Sequence, residues 1–295
     1  MIAECFDFGN KLLVVDIMIK QKNNKNERSK TGIESDIRYL RDYYQTNGSF
    51  PMFQQVLIET RTDCNNHCPF CPHHFNNKKV AVMDWKVYCK IINNLCDINY
   101  NGRVALMISN EPLLDDRLPD MIKYAKNKSQ RLFLDITTNG RLLTLEKVDY
   151  LFSIGLDNIN INDYRGDRDK NPDGLSSNLQ AIYDSYHNNP KISIQRRRLD
   201  EKWPNYGGNI PQEFEKEKYG FCNFPFRKLA IAYNGDVILC CNDFMYDTRF
   251  GNVIEKDLVD CWYDDSYNEY RFALIENKRI GLCERCNDGQ DYSVY

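Results

Sequence analysis

From residue 54 to residue 195, strand-like apolar runs alternate with helical patterns, and this order leaves few folds open to the chain. The runs at residues 56–59, 104–108, 132–137, 158–161 and 192–195 are short and strand-like. Residues 84–96, 118–125 and 145–152 carry apolar positions at helical spacing. Strands that alternate with helices in this way imply a parallel sheet covered by helices. Five units are readable and a sixth is not clear from pattern alone, so the expectation is an α/β fold of the partial (β/α)6 TIM-like barrel type.

The flanks differ in character. Residues 21–30 (QKNNKNERSK) are polar and without periodicity, so the first fifty residues read as an N-terminal extension joined by a flexible link. Beyond residue 216, apolar runs at 229–233 and 237–240 flank Asn234-Gly235, a pair suited to a tight hairpin turn. A helical stretch at 264–276 follows, then Cys283 and Cys286. The expected division is an extension at 1–50, a barrel core at 51–215 and a separate small α+β module at 216–295. A chain of 295 residues accommodates one barrel-like domain with such an appendage.

The formal net charge is −3, with both signs spread along the chain, which argues against a nucleic-acid partner. The apolar stretch at 12–19 is interrupted by Asp16 and is far shorter than the roughly 20 residues that span a bilayer, so the expectation is a cytoplasmic protein without a membrane partner.

The chain has 12 cysteines, grouped at short spacings as in metal sites rather than disulfide scaffolds. In TRTDCNNHCPFCPHH, Cys64, Cys68 and Cys71 stand at C-x3-C-x2-C just after the first predicted strand, at the end of the strand where barrel active sites sit. Three thiolates can hold three irons of a 4Fe-4S cubane and leave the fourth open to another ligand. A structural zinc site, with His67, His73 or His74 as fourth ligand, is the competing reading.

This loop, with Phe70 before the third cysteine, resembles the defining motif of the radical S-adenosylmethionine (SAM) superfamily. The resemblance implies that the open iron chelates SAM and that one electron cleaves the sulfonium to a 5′-deoxyadenosyl radical. Ser109-Asn110-Glu111-Pro112 stands where the family carries Gly-Gly-Glu-Pro, so Glu111, Ser109 and Asn110 are implied contacts to the methionine part, although both glycines are replaced. Thr138, Asn139, Asn160 and Asn162, at the ends of the third and fourth strands, stand where the family places polar groups toward SAM. Asparagine at a strand end is also a common turn residue.

Cys222, Cys240, Cys283 and Cys286 form a second set, enough to fill all four irons of another 4Fe-4S cluster. The set resembles the twitch domain, a shortened SPASM module, which implies one auxiliary cluster; Cys261 then belongs to no set. A zinc ribbon is the competing reading.

Residues 101–114 and Gly207-Gly208-Asn209-Ile210-Pro211 resemble a sugar-acting subgroup of aminocyclitol dehydrogenases and aminoglycoside epimerases. The resemblance implies abstraction of a carbinol hydrogen from a sugar, nucleotide-sugar or aminocyclitol, with flavodoxin or ferredoxin as reductant. Oxidation then needs a base and an electron acceptor, whereas epimerisation needs a hydrogen donor on the opposite face. Cys241 directly follows Cys240, and on an extended segment the two side chains point to opposite faces, so Cys241 is the candidate donor. A buried structural role suits it equally.

The subgroup's dehydrogenases lack this second cysteine and carry an arginine where this chain has Tyr206, so the resemblance favours epimerisation over oxidation. Arg196-Arg197-Arg198 is a candidate grip for a phosphate or carboxylate, or an exposed strand edge. Asp163, Tyr164 and Arg165 are further pocket candidates. Modification of a ribosomal peptide and a noncatalytic zinc-binding protein complete the alternatives.

Overall fold

The computed structural model describes residues 30–164, 175–197, 203–211 and 220–288. The flexible link expected before Lys30, Arg165 and Arg198 lie outside the described residues. A single seven-stranded sheet runs β5-β4-β3-β2-β1-β6-β7, formed by β1 Gln55–Ile58, β2 Arg103–Ala105, β3 Phe133–Thr138, β4 Asn158–Asp163, β5 Ile192–Arg196, β6 Lys228–Ile231 and β7 Val237–Ile238. All neighbours are parallel except β6 and β7. The sheet is open, as the partial-barrel expectation requires.

Helices cover one face. Val56, Ile58, Val104, Leu134, Ile136, Ile159, Ile161, Leu229 and Ile231 share one core with residues of the helices Trp85–Asp97, Leu118–Lys128, Leu145–Ser153 and Ser177–Tyr186. Period-two alternation turns the intervening residues inward: Leu57, Ala105 and Ala230 pack with Ile108, Phe224 and Ile238 on the opposite face. Small residues there leave room above the sheet.

The inner face also carries charge. Arg103 Nε donates to the fully buried Asp135 at 2.6 Å from the neighbouring strand. Removing one member of a buried pair strands the other. Arg103→Leu is therefore expected to cost about 3–5 kcal/mol in urea unfolding, and Arg103→Leu with Asp135→Leu to recover most of it.

Two features depart from the expected layout. Residues Lys30–Asn47 form an 18-residue helix rather than an irregular extension. Ile33, Ile37, Leu40 and Tyr44 recur at helical spacing and pack with Phe50, Phe221, Phe226 and Leu274, so the helix is fixed by distant C-terminal partners. In addition, the Asn234-Gly235 hairpin is not a free-standing sheet. Gly235 takes φ +88° as a tight turn requires, but β6 pairs with β1 along four residues and so extends the barrel sheet. Among the described residues no helix is long and apolar enough to cross a membrane.

Candidate active site

β1 ends at Ile58, and the chain then crosses the strand ends as the loop carrying Cys64, Cys68 and Cys71. Its shape is locally enforced. Cys71 N–H donates to the Cys68 carbonyl at 3.0 Å, and Cys71 caps the short helix Pro72–Phe75. Strand ends pin the rest: Asn139 Nδ2 donates to Asn65 Oδ1 at 2.7 Å and approaches Cys64 Sγ at 3.7 Å, Arg141 donates to Asn66 Oδ1 at 2.7 Å, and Glu111 N–H donates to the Asp63 carbonyl at 3.0 Å.

The three thiols are free and close enough to feel one another. Burial pushes Cys68 up to about 11 and Cys71 up to about 12, each raised further by its neighbours in the loop, and Cys64 is also raised by burial. Deprotonating this trio together therefore calls for a cation that binds thiolate. Among the described residues no three His, Cys, Asp or Glu converge on one metal ion. Cysteines of a cubane bind different irons, so such convergence is not what that donor set needs. The trio fits a 4Fe-4S cluster.

Glu111 is 2% exposed and ties two strand ends together. It accepts from Leu113 N–H at 3.1 Å, Thr138 Oγ1 at 2.6 Å and Asn139 N–H at 2.8 Å. Burial raises its proton affinity, and these donors oppose the rise. Asn110 folds back on its own turn, its Oδ1 accepting from Ile108 N–H at 3.0 Å, and the Ser109 carbonyl meets His73 Nε2 at 2.8 Å. Ser109, Asn110, Glu111, Thr138 and Asn139 are thus brought to one place beside Cys64.

Asn160 and Asn162 lie further along the same face. Asn160 Oδ1 accepts from Ser193 Oγ at 2.8 Å, while its buried Nδ2 has no partner among the described residues. Asn162 Oδ1 accepts from Arg197 Nε at 3.0 Å. Arg196 is exposed, so the arginine run divides between solvent and site. Phe70 stacks on Trp203 with centroids 4.5 Å apart, and Tyr164 and Arg197 adjoin the same cluster. Trp203 carried no sequence signal, because neither a strand nor a helical pattern surrounds it.

The second set assembles from three segments: Cys222 before the short helix Phe224–Arg227, Cys240 after β7, and Cys283 and Cys286 at the 3-10 helix Gly281–Arg285. Burial raises all four thiols, and Cys240 is raised further by Cys222, Cys283 and Cys286. Four neighbouring thiols raised in this way again suit a metal centre that displaces their protons. Cys261 is buried elsewhere, in the helix-covered core.

Cys241 packs against the inner-face cluster of Leu57, Ala105 and Ala230. Burial raises the Tyr206 phenol well above its usual range, and Cys71, Tyr164 and Cys241 are near enough to raise it further. Its backbone is left-handed, at φ +48°, and Gly207 and Gly208 continue at +63° and +84°. Such a conformation is strained for a bulky residue and concentrates at functional sites. The turn is held at both ends: Asn205 Nδ2 donates to the Arg285 carbonyl at 2.7 Å, and Asn76 Nδ2 donates to the Asn209 carbonyl at 3.0 Å.

Sequence reasoning also missed a buried ionic knot. Glu59 accepts from Tyr246 Oη, and Lys78 Nζ lies 4.0 Å from Glu59, 4.1 Å from the Phe244 ring centre and 3.7 Å from that of Tyr246. It stitches the segment after the first cysteines to the C-terminal part.

With this geometry in place, comparison with known proteins is informative. The radical SAM superfamily profile matches residues 58–163, and that of the SPASM iron-sulfur cluster-binding domain matches residues 222–287. The chain is 25% identical over 244 residues to the S-adenosyl-L-methionine-dependent 2-deoxy-scyllo-inosamine dehydrogenase of Niallia circulans, covering 80% of this chain and 94% of the relative. It is 20% identical over 312 residues to the tungsten-containing aldehyde ferredoxin oxidoreductase cofactor-modifying protein of Pyrococcus furiosus, covering 79% and 86%. Its fold matches the crystal structure of BtrN in complex with AdoMet and 2-DOIA at a TM-score of 0.71 and 23% identity, covering 83% of this chain and 98% of that one. A radical SAM domain implies a 4Fe-4S cluster with SAM, and a SPASM domain implies auxiliary iron-sulfur. The chain is an enzyme that carries a radical SAM domain followed by a SPASM iron-sulfur domain.

Proposed function

We propose that the enzyme removes hydrogen from a carbinol carbon of a sugar or aminocyclitol and returns hydrogen from the other face, with Cys241 as donor. In this reading Cys64, Cys68 and Cys71 hold the SAM-binding cluster, and Cys222, Cys240, Cys283 and Cys286 hold one auxiliary cluster. When bound, the first cluster and SAM supply a 5′-deoxyadenosyl radical.

The chain's own residues do the rest. Glu111, Thr138 and Asn139 hold the strand ends that flank the cluster loop, and with Ser109 and Asn110 they offer polar groups to the methionine part. Asn160 offers an uncommitted buried amide toward SAM, Asn162 is shared with Arg197, and Phe70 closes the loop against Trp203.

The observation that supports epimerisation is a second thiol, Cys241, packed beside the inner-face cluster next to the proposed ligand Cys240. In this reading the thiol gives its hydrogen atom to the substrate radical from the face away from the first cluster, and one electron from the reductant with a solvent proton restores the thiol. The substrate class is supported by the 25% identity to a dehydrogenase named for an aminocyclitol. That relative is named a dehydrogenase, which supports the second reading, oxidation of the same alcohol to a ketone; in that reading the auxiliary cluster accepts the electron.

Incubation in deuterium oxide with SAM, reductant and candidate aminocyclitols or glycans separates the outcomes by mass spectrometry. An inverted product one mass unit heavier is expected, because a thiol exchanges its hydrogen with solvent. A ketone two mass units below the substrate would instead establish dehydrogenation.

A further inference from the structure

The sulfur of Cys286 is surrounded differently from its three companions. The Asp288 backbone N–H donates to it at 3.4 Å, Asn242 Nδ2 approaches it at 3.8 Å, and the Gly207 N–H points at it from the left-handed turn. Cys222 has one such donor, the Phe224 backbone. The arrangement is built in. Gly207 sits at φ +63°, where a side chain would be strained and would press on Leu282 Cδ1 at 2.7 Å and on the Asn242 carbonyl at 3.2 Å, so glycine favours this close approach. Asn242, 5% exposed, also donates to Asp288 Oδ2 at 2.8 Å, which holds a carboxylate beside the same sulfur.

A donor to a ligand sulfur draws electron density from it and favours the reduced, more negative cluster, whereas a nearby carboxylate opposes reduction. We propose that Asn242 and Asp288 form an opposed pair that sets the reduction potential of the auxiliary cluster, the amide raising it and the carboxylate lowering it. Asn242 acts here as a positioning residue, through Cys286 and Asp288. The inference rests on the assignment of Cys222, Cys240, Cys283 and Cys286 as ligands of that cluster.

The test is a redox titration of the full-length, anaerobically reconstituted enzyme, followed by electron paramagnetic resonance, with iron and sulfide counted in each sample. Asn242→Leu is expected to lower the auxiliary midpoint by about tenfold in the reduction equilibrium, about 59 mV for one electron. Asp288→Asn is expected to raise it by a similar factor. Unchanged midpoints at full iron content would overturn the proposal. If Asn242→Leu loses its cluster, the isosteric Asp288→Asn decides alone, a positive shift supporting the pair and no shift overturning it. A wild-type protein with no second cluster would instead overturn the ligand assignment.

Discussion

Replacing Cys64, Cys68 and Cys71 together by alanine is expected to halve the iron of the reconstituted protein, from about eight to about four atoms, and to reduce deoxyadenosine formation to background. The three thiols are free, at least half-buried and mutually repelling as thiolates, so together they suit a metal centre that stabilises the deprotonated sulfurs. Their backbone is pinned by Asn139, Arg141 and the Asp63 carbonyl, so the loop keeps its frame when the sulfurs are gone. In the proposed assignment the remaining four-iron complement belongs to the second set, whose residues come from other segments. Iron and sulfide analysis with a visible spectrum reads the first outcome, and chromatography of SAM products reads the second. A triple variant that kept all its iron would show that these cysteines are not the ligands.

Cys241→Ala is expected to separate the two halves of the reaction. In the proposed epimerisation hydrogen removal depends on the cluster held by Cys64, Cys68 and Cys71, so deoxyadenosine should still form when substrate is present. Inverted product should fall by roughly a hundredfold or more, which corresponds to about 2.7 kcal/mol of barrier. Cys241→Ser should behave like the alanine variant, because an alcohol O–H gives up a hydrogen atom far less readily than a thiol S–H. Both variants preserve the neighbouring Cys240 and its contacts in the core, so auxiliary iron content serves as the control. Undiminished inversion in Cys241→Ala would move the donor elsewhere, with the neighbouring Tyr206 the next candidate.

Much of the fold was legible because its signals are local. Asp84 and Thr144 cap their helices through side-chain oxygens, and β-branched residues fill the strands that the chain pattern marks. The helix Lys30–Asn47 escaped notice because its apolar spacing is diluted by charge and its partners, Phe221, Phe226 and Leu274, lie far along the chain. The pairing of β6 with β1 was illegible for a related reason: a hairpin turn announces β6 and β7, but no local residue names the outer neighbour.

In the site, the order of short motifs along the chain led to Glu111, Thr138 and Asn139. Motif order has no counterpart for Trp203, or for Lys78 with Glu59 and Tyr246. Those groups meet only after the sheet has formed.

The parallel ladder between β1 and β6 bears on how this protein can be divided. Gln55–Ile58, the strand that launches the first cysteine loop, has every residue buried and would lose one flank if the chain were cut before Cys222. Its bare amides and carbonyls, lined by valine, leucine and isoleucine, would then template association with other copies. An isolated N-terminal fragment should therefore precipitate rather than persist as a smaller enzyme, so the two iron-sulfur regions stand or fall together as one folding unit.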